Sequence, residues 1–88
     1  MEQAWVYMLL CGPQEKIYIG WTNDPQARLI KHQSGKGGKF TRANQPVRMV
    51  GLLECEDRSA AMSLEVKLKQ LGRKEKLAWI SKHPFPPS

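Results

Sequence analysis

The chain reads as one small domain of the mixed α/β class, an α+β fold with its elements in the order β-β-α-β-α-α. Three observations lead there. Two β-rich apolar segments, residues 4–11 and 16–21, are separated only by Gly12-Pro13-Gln14-Glu15, a hairpin-length connection punctuated by glycine and proline. Three later segments carry apolar residues at helical spacing, two of them opened by a capping side chain. At 88 residues the chain has material for a single modest core, with residues 1–83 as the domain and 84–88 as a Pro-rich tail.

Residues 4–11 alternate as a strand. Trp5, Tyr7, Leu9 and Cys11 share one face, and Ala4, Val6, Met8 and Leu10 the other. Both faces are apolar, which predicts a central position in the sheet. With Gly12 opposite Glu15, Tyr18 pairs with Leu9 and Tyr7 with Gly20. The two tyrosines then form a diagonal pair on one face, about 7–8 Å apart at the backbone. Asn23-Asp24-Pro25 starts a helix: Asp24 can accept from free backbone N–H groups and Pro25 suits the first helical position. That helix runs to about Gln33 and stops at Ser34-Gly35, with Ala27, Leu29 and Ile30 expected inward. Arg28 and His32, four residues apart, stand on one face.

Residues 35–45 hold three glycines and three cations and are expected to form a long loop. Pro46 to Glu56 reads as the third strand, with Val47, Met49, Leu53 and Cys55 on one face. Asp57 or Ser59 caps a second helix that ends at Gly72, its inner stripe made of Ala61, Leu64, Leu68 and Leu71. Glu65 falls inside that stripe, where a carboxylate is costly unless something pairs with it. Residues 73 to about 82 make a third helix with Leu77 and Ile80 inward, and Pro84, Pro86 and Pro87 close the chain as a loose tail.

Charge narrows the partners. Fourteen Lys and Arg against eight Asp and Glu give a net charge of +6, which attracts polyanions, nucleic acid first. The apolar run from Ala4 to Cys11 is far too short to span a bilayer, and Glu2 ahead of it does not suit a secretory signal. No membrane partner is expected. Cys11 and Cys55 stand alone, without a CxxC partner, so they read as reduced, buried thiols of a cytoplasmic protein.

Five residues could carry chemistry. Tyr7 and Tyr18 can act as acid or base only if something depresses a pKa that starts near 10, as Arg28 or a metal-bound water would. Arg28 can stabilise charge on a phosphoryl group, and His32 can bond the same phosphate or move a proton. Glu65 can ligate a hard cation such as Mg2+, completed by waters and substrate phosphates. In the 35–45 segment, Lys36, Lys39 and Arg42 can follow phosphates while Phe40 stacks on a base. Each also has an ordinary reading. The tyrosines suit a core, Arg28 and His32 suit a surface, Glu65 can pair with Lys69 four residues on, and the segment can be a solvated connection. As a set they match what phosphodiester hydrolysis requires: a base for water, a metal and a positive clamp.

The set also resembles the GIY-YIG nuclease domain. Ile17-Tyr18-Ile19-Gly20 contains that motif's second half literally, while Trp5-Val6-Tyr7 keeps the tyrosine of its first half. Arg28 follows ten residues after Tyr18, His32 four later, and Glu65 thirty-three beyond the histidine, an order and spacing similar to the family's. The stretch TNDPQARLIKH and the Phe40-Thr41-Arg42 triplet are similar to small stand-alone bacterial members of uncharacterised function. Two positions depart: Trp21 stands where some members carry a lysine, and no asparagine follows Asn44.

The resemblance implies a three-stranded antiparallel sheet flanked by helices. It implies an endonuclease that cleaves DNA at one Mg2+ (or Mn2+) ion bound by Glu65, with Tyr7 or Tyr18 activating water and Arg28 and His32 on the phosphate. Related domains in excision repair, homing and structure-specific nucleases suggest a branched or otherwise structured DNA and a repair or recombination setting, and nothing in the residues separates DNA from RNA. The second reading is a non-catalytic nucleic-acid-binding module on a degenerate site.

Overall fold

The computed structural model describes residues 3–87. Strands β1 (Ala4–Cys11), β2 (Lys16–Thr22) and β3 (Val47–Cys55) form one antiparallel sheet in the order β2-β1-β3. The strand that is apolar on both faces is therefore the central one, as its pattern requires. Helices α1 (Pro25–Gln33) and the five-residue α2 (Lys39–Ala43) lie between β2 and β3, and α3 (Arg58–Lys69) and α4 (Arg73–Lys82) follow β3. The hairpin register pairs Tyr7 with Gly20 and Leu9 with Tyr18.

The sheet separates two apolar clusters. Ala4, Val6, Met8 and Ile19 meet Ala61 and Leu68 of α3, with Trp79 and Ile80 of α4 closing the layer. On the other face Tyr7, Leu9, Cys11, Val47 and Met49 pack with Leu29 and Phe85. Caps set the helix starts. Asp24 accepts from Ala27 N–H at 3.1 Å, and Asp57, rather than Ser59, accepts from Ala60 N–H at 2.8 Å.

The expected loop and three of the expected inward faces need correction. Residues 35–45 are not all loop: once past Gly38, residues 39–43 close a helical turn that ends where the Asn44 side chain donates to Phe40 O at 2.8 Å. In β3 a bulge between the partners of Met8 and Leu9 reverses the alternation. Val47 and Met49 thus face the α1 side while Cys55 packs on the α3 side, so these residues do not share a face. In α1, Ala27 and Ile30 are exposed and His32 is buried. In α4, Leu77 is exposed and Trp79 joins Ile80 inward. Cys11 is buried, whereas Cys55 is only half-buried; both are free thiols.

The start of the Pro-rich segment is tied down. Leu52 N–H donates to His83 O at 3.0 Å and Phe85 N–H to Val50 O at 2.9 Å, so the chain crosses β3 beside the bulge before it ends. Among the described residues no helix is long and apolar enough to cross a membrane.

Candidate active site

The site begins with an inverted helix. Ile30 of α1 is 64% exposed, while His32 is 1% exposed and Arg28 half-buried. A helix that turns its polar residues toward the sheet sacrifices apolar burial unless those residues find partners. His32 finds two. Its Nε2 lies 3.0 Å from the Tyr7 hydroxyl and its Nδ1 lies 2.8 Å from Thr41 Oγ1. The Thr41 hydroxyl donates onward to Gly38 O at 3.4 Å. Thr41 Oγ1 therefore accepts from the Nδ1–H, which leaves Nε2 as the acceptor of the Tyr7 proton. Gln45 braces this chain by donating to His32 O at 2.8 Å and Thr41 O at 2.7 Å.

Two glycines make room for it. A Cβ at Gly20 would stand 2.4 Å from the Tyr7 hydroxyl oxygen, and one at Gly37 would stand 2.3 Å from His32 Nδ1. The hydroxyl end of the Tyr7 ring thus sits against the β2 backbone at Gly20, where only a hydrogen fits, and Gly37 lies against the imidazole. Neither glycine is in the left-handed region, so closeness and not backbone twist accounts for both.

Tyr18 adds an aromatic wall. Its ring centroid is 6.4 Å from that of Tyr7, 5.0 Å from His32 and 5.9 Å from Phe40, the last pair stacked at 24°. Its hydroxyl forms no hydrogen bond among the described residues. Arg28 likewise forms no hydrogen bond or ion pair among the described residues, although its charge acts on both Tyr7 and His32. A guanidinium in this position presents a planar fork of N–H donors that suits a phosphate or carboxylate.

Burial pushes the Tyr7 hydroxyl well above its ordinary value, with Tyr18 adding to the effect; Arg28 pulls it down, and Glu65 adds a smaller upward push. Arg28 thus acts in the expected direction, but desolvation wins, and Tyr7 stands as a neutral phenol. Burial also holds the His32 imidazole below its usual value, reinforced by Arg28, so the ring is a neutral acceptor at pH 7.

Glu65 lies on α3, close enough for its charge to act on Tyr7, and its side chain is 19% exposed. Lys69 Nζ lies 3.5 Å from its Oε2, so the intrahelical pair exists. Among the described residues no three His, Cys, Asp or Glu side chains gather into a metal cage. One carboxylate fits a cation that is shared with a substrate phosphate and its waters, as Mg2+ is often bound, and does not fit a resident metal held by protein alone.

The structure brings Tyr7, Tyr18, His32 and Phe40 into contact, with Arg28 and Glu65 close enough for their charges to act on Tyr7. Lys36, Lys39 and Arg42 remain at the surface, on and beside α2. Thr41, Gly37, Gly20 and Gln45 are the site residues that spacing alone does not single out. Gly20 is a letter of the Tyr18-Ile19-Gly20 motif, but nothing in the sequence marks Thr41 as the partner of an imidazole.

Residues 3–78 match the GIY-YIG catalytic domain. A UPF0213 protein of Streptococcus sanguinis is 47% identical over 79 residues, which span 90% of each chain. A UPF0213 protein of Cupriavidus necator is 36% identical over 83 residues, 94% of this chain and 90% of that one. Two solution NMR structures superpose on the fold, both at 36% identity. One, from E. faecalis, has a TM-score of 0.63 over 93% of this chain and 86% of its own. The other, the UPF0213 protein of Bacillus halodurans, has 0.60 over 96% and 88%. The nucleases of this domain class generally depend on a metal, typically Mg2+. A match over most of the length, relatives of the same size and the same three-stranded sheet lead to one conclusion: the chain belongs to the GIY-YIG family of nuclease domains, beside its small bacterial UPF0213 members.

Proposed function

We propose that the protein is a metal-dependent endonuclease that hydrolyses phosphodiester bonds in DNA. The observation that supports this most is the buried Tyr7–His32–Thr41 chain set close to the Arg28 guanidinium, whose charge acts on both Tyr7 and His32. A core seldom retains a neutral imidazole and a charge without use, because both cost burial energy.

In this reading Arg28 receives the scissile phosphate and spreads its developing negative charge. A water oxygen forms the new bond to phosphorus. Its proton passes to Tyr7 Oη as the Tyr7 proton moves to His32 Nε2, so no free phenolate has to form. The bond to the leaving oxygen breaks, that oxygen takes up a proton from solvent, and the extra proton on His32 returns through Tyr7 to solvent. His32 can accept because burial keeps it neutral, and Thr41 holds the tautomer that presents Nε2. The Tyr18 hydroxyl donates to the phosphate, while Lys36, Lys39 and Arg42 hold flanking phosphates and Phe40 a base. Glu65 would hold one Mg2+ (or Mn2+), which supplies Lewis-acid stabilisation to the phosphate and leaving oxygen.

One observation favours the non-catalytic binding module: Lys69 already neutralises Glu65. The test is cleavage of labelled duplex, flap, branched and single-stranded DNA, with Mg2+, with Mn2+ and with chelator, wild type beside Glu65→Gln. Metal-dependent cleavage lost in Glu65→Gln is expected. Cleavage that survives Glu65→Gln refutes the mechanism. Salt-sensitive binding without any cleavage hands the chain to the binding-module reading.

A further inference from the structure

A groove of about 280 Å³ runs around the exposed edge of the sheet, lined by Ile17, Tyr18, Ile19, Phe40, Lys69 and Lys76. Neighbouring residues of a strand point to opposite faces, so Tyr18 comes from the site face and the two isoleucines from the other. β2 is an edge strand, and α2, α3 and α4 each contribute one side chain around it.

We propose that this groove is a nucleotide subsite next to the reacting phosphate, with Phe40 and Tyr18 taking the base and Lys69 and Lys76 the adjoining phosphate. The proposal rests on the nuclease reading for what lies beside it, and on the groove's own composition for what it binds. Its volume is close to the lower end of small-ligand sites, about 300 Å³. Its walls are aromatic and aliphatic, and among the described residues its charged lining groups are two ammonium groups, with no acid. A flat apolar group joined to an anion matches that lining.

The groove meets the candidate site at two points. The Tyr18 ring that faces it is 5.0 Å from the His32 ring, and Lys69 lies 3.5 Å from Glu65. The groove and the candidate site therefore share a wall at Tyr18 and adjoin at the Lys69–Glu65 pair. The nearly parallel Tyr18–Phe40 pair leaves an outer ring face for a base, since Phe40 is 40% exposed. Within a duplex both faces of a base are already covered, so the subsite takes an unstacked nucleotide.

The test uses short oligodeoxynucleotides carrying 2-aminopurine at successive positions, in chelator, with the full chain as wild type, Phe40→Leu, Lys76→Met and Lys76→Arg. Thermal unfolding of each variant establishes that it is folded. Wild type should quench one position strongly. Phe40→Leu should lose the quench and bind roughly 5- to 150-fold more weakly, the range for deleting a stacking side chain. Lys76→Met should flatten the log–log salt dependence by about 0.7, one single-strand phosphate, and Lys76→Arg should restore it.

Folded variants that quench and titrate like wild type overturn the subsite, even if DNA is cleaved. Quenching that depends on Phe40 and Lys76 in a protein that never cleaves upholds the subsite and sinks the nuclease reading instead. Absence of oligonucleotide binding by wild type overturns the subsite outright.

Discussion

Gly37→Ala is the sharpest test of how the site is held. At a residue with ordinary φ, exchanging glycine for alanine normally stabilises by about 0.4–1 kcal/mol, because the unfolded chain has less freedom to lose. Here the added Cβ would stand 2.3 Å from His32 Nδ1, 2.7 Å from Cγ and 2.8 Å from Cε1, where atoms closer than 3.0 Å essentially never occur. To reach even 3.0 Å the ring has to retreat by about 0.7 Å. It has nowhere to go, because Tyr7 holds Nε2 at 3.0 Å, Thr41 holds Nδ1 at 2.8 Å and Gln45 holds the backbone carbonyl. A shift of that size lengthens or misaims at least one bond past its useful range.

A buried polar group left unpaired costs about 1–3 kcal/mol, which outweighs the favourable term. Subtracting that term leaves a net loss of up to about 2.6 kcal/mol, or up to about 10–20 °C in Tm for a domain this small. Urea or thermal unfolding reads the stability, and the imidazole 15N shifts of His32 read the tautomer. A variant as stable as wild type, with unchanged His32 shifts, refutes the claim that Gly37 is there to seat the imidazole.

Three further outcomes follow from the same geometry. Gly20→Ala places a methyl 2.4 Å from the Tyr7 hydroxyl oxygen and should break the Tyr7–His32 bond, with a loss of about 1–3 kcal/mol and of any cleavage; hydroxyl and imidazole NMR signals report it. Stability should fall as the pH drops below about 6.5. The folded state holds His32 below that ordinary value, so the unfolded chain binds the extra proton first. The slope approaches at most about 1.4 kcal/mol per pH unit, ends once the folded-state value is passed, and should vanish in His32→Gln; chemical denaturation at pH 7.5, 6.5, 5.5 and about 5 reads it. Ile30→Lys should change stability by no more than about 0.5 kcal/mol because the side chain is solvated, whereas Leu29→Ala should cost more; equal losses at both positions would contradict the inverted helix.

Much of the frame was legible because it depends on local chemistry. Asp24-Pro25 and Asp57 start helices through caps made within one turn, and the hairpin register follows from a four-residue turn, so the Tyr7–Gly20 and Tyr18–Leu9 pairs could be counted. The alternation of β1 gave its central place, and the Tyr–Tyr–Arg–His–Glu order gave the family. What failed was inference about inward faces. Apolar periodicity puts Ala27 and Ile30 of α1 inside, yet the helix turns Arg28 and His32 to the sheet. It does so because Tyr7 and Thr41 repay the burial of the imidazole with hydrogen bonds. In β3, one extra residue reverses the alternation after Met49, and a bulge has no local signature there.

By itself, then, the sequence determined the element order, the strand at the centre, the helix starts and the identity of the residues that carry charge and hydroxyls. Only the tertiary structure decided their states. It set Tyr7 as a neutral phenol rather than a depressed one, because burial outweighs the pull of Arg28. It chose Thr41 as the partner of His32, and it assigned Gly20 and Gly37 their task of admitting two rings. These are distances between elements remote in sequence, and desolvation and steric contact depend on the distances, not on the order of residues along the chain.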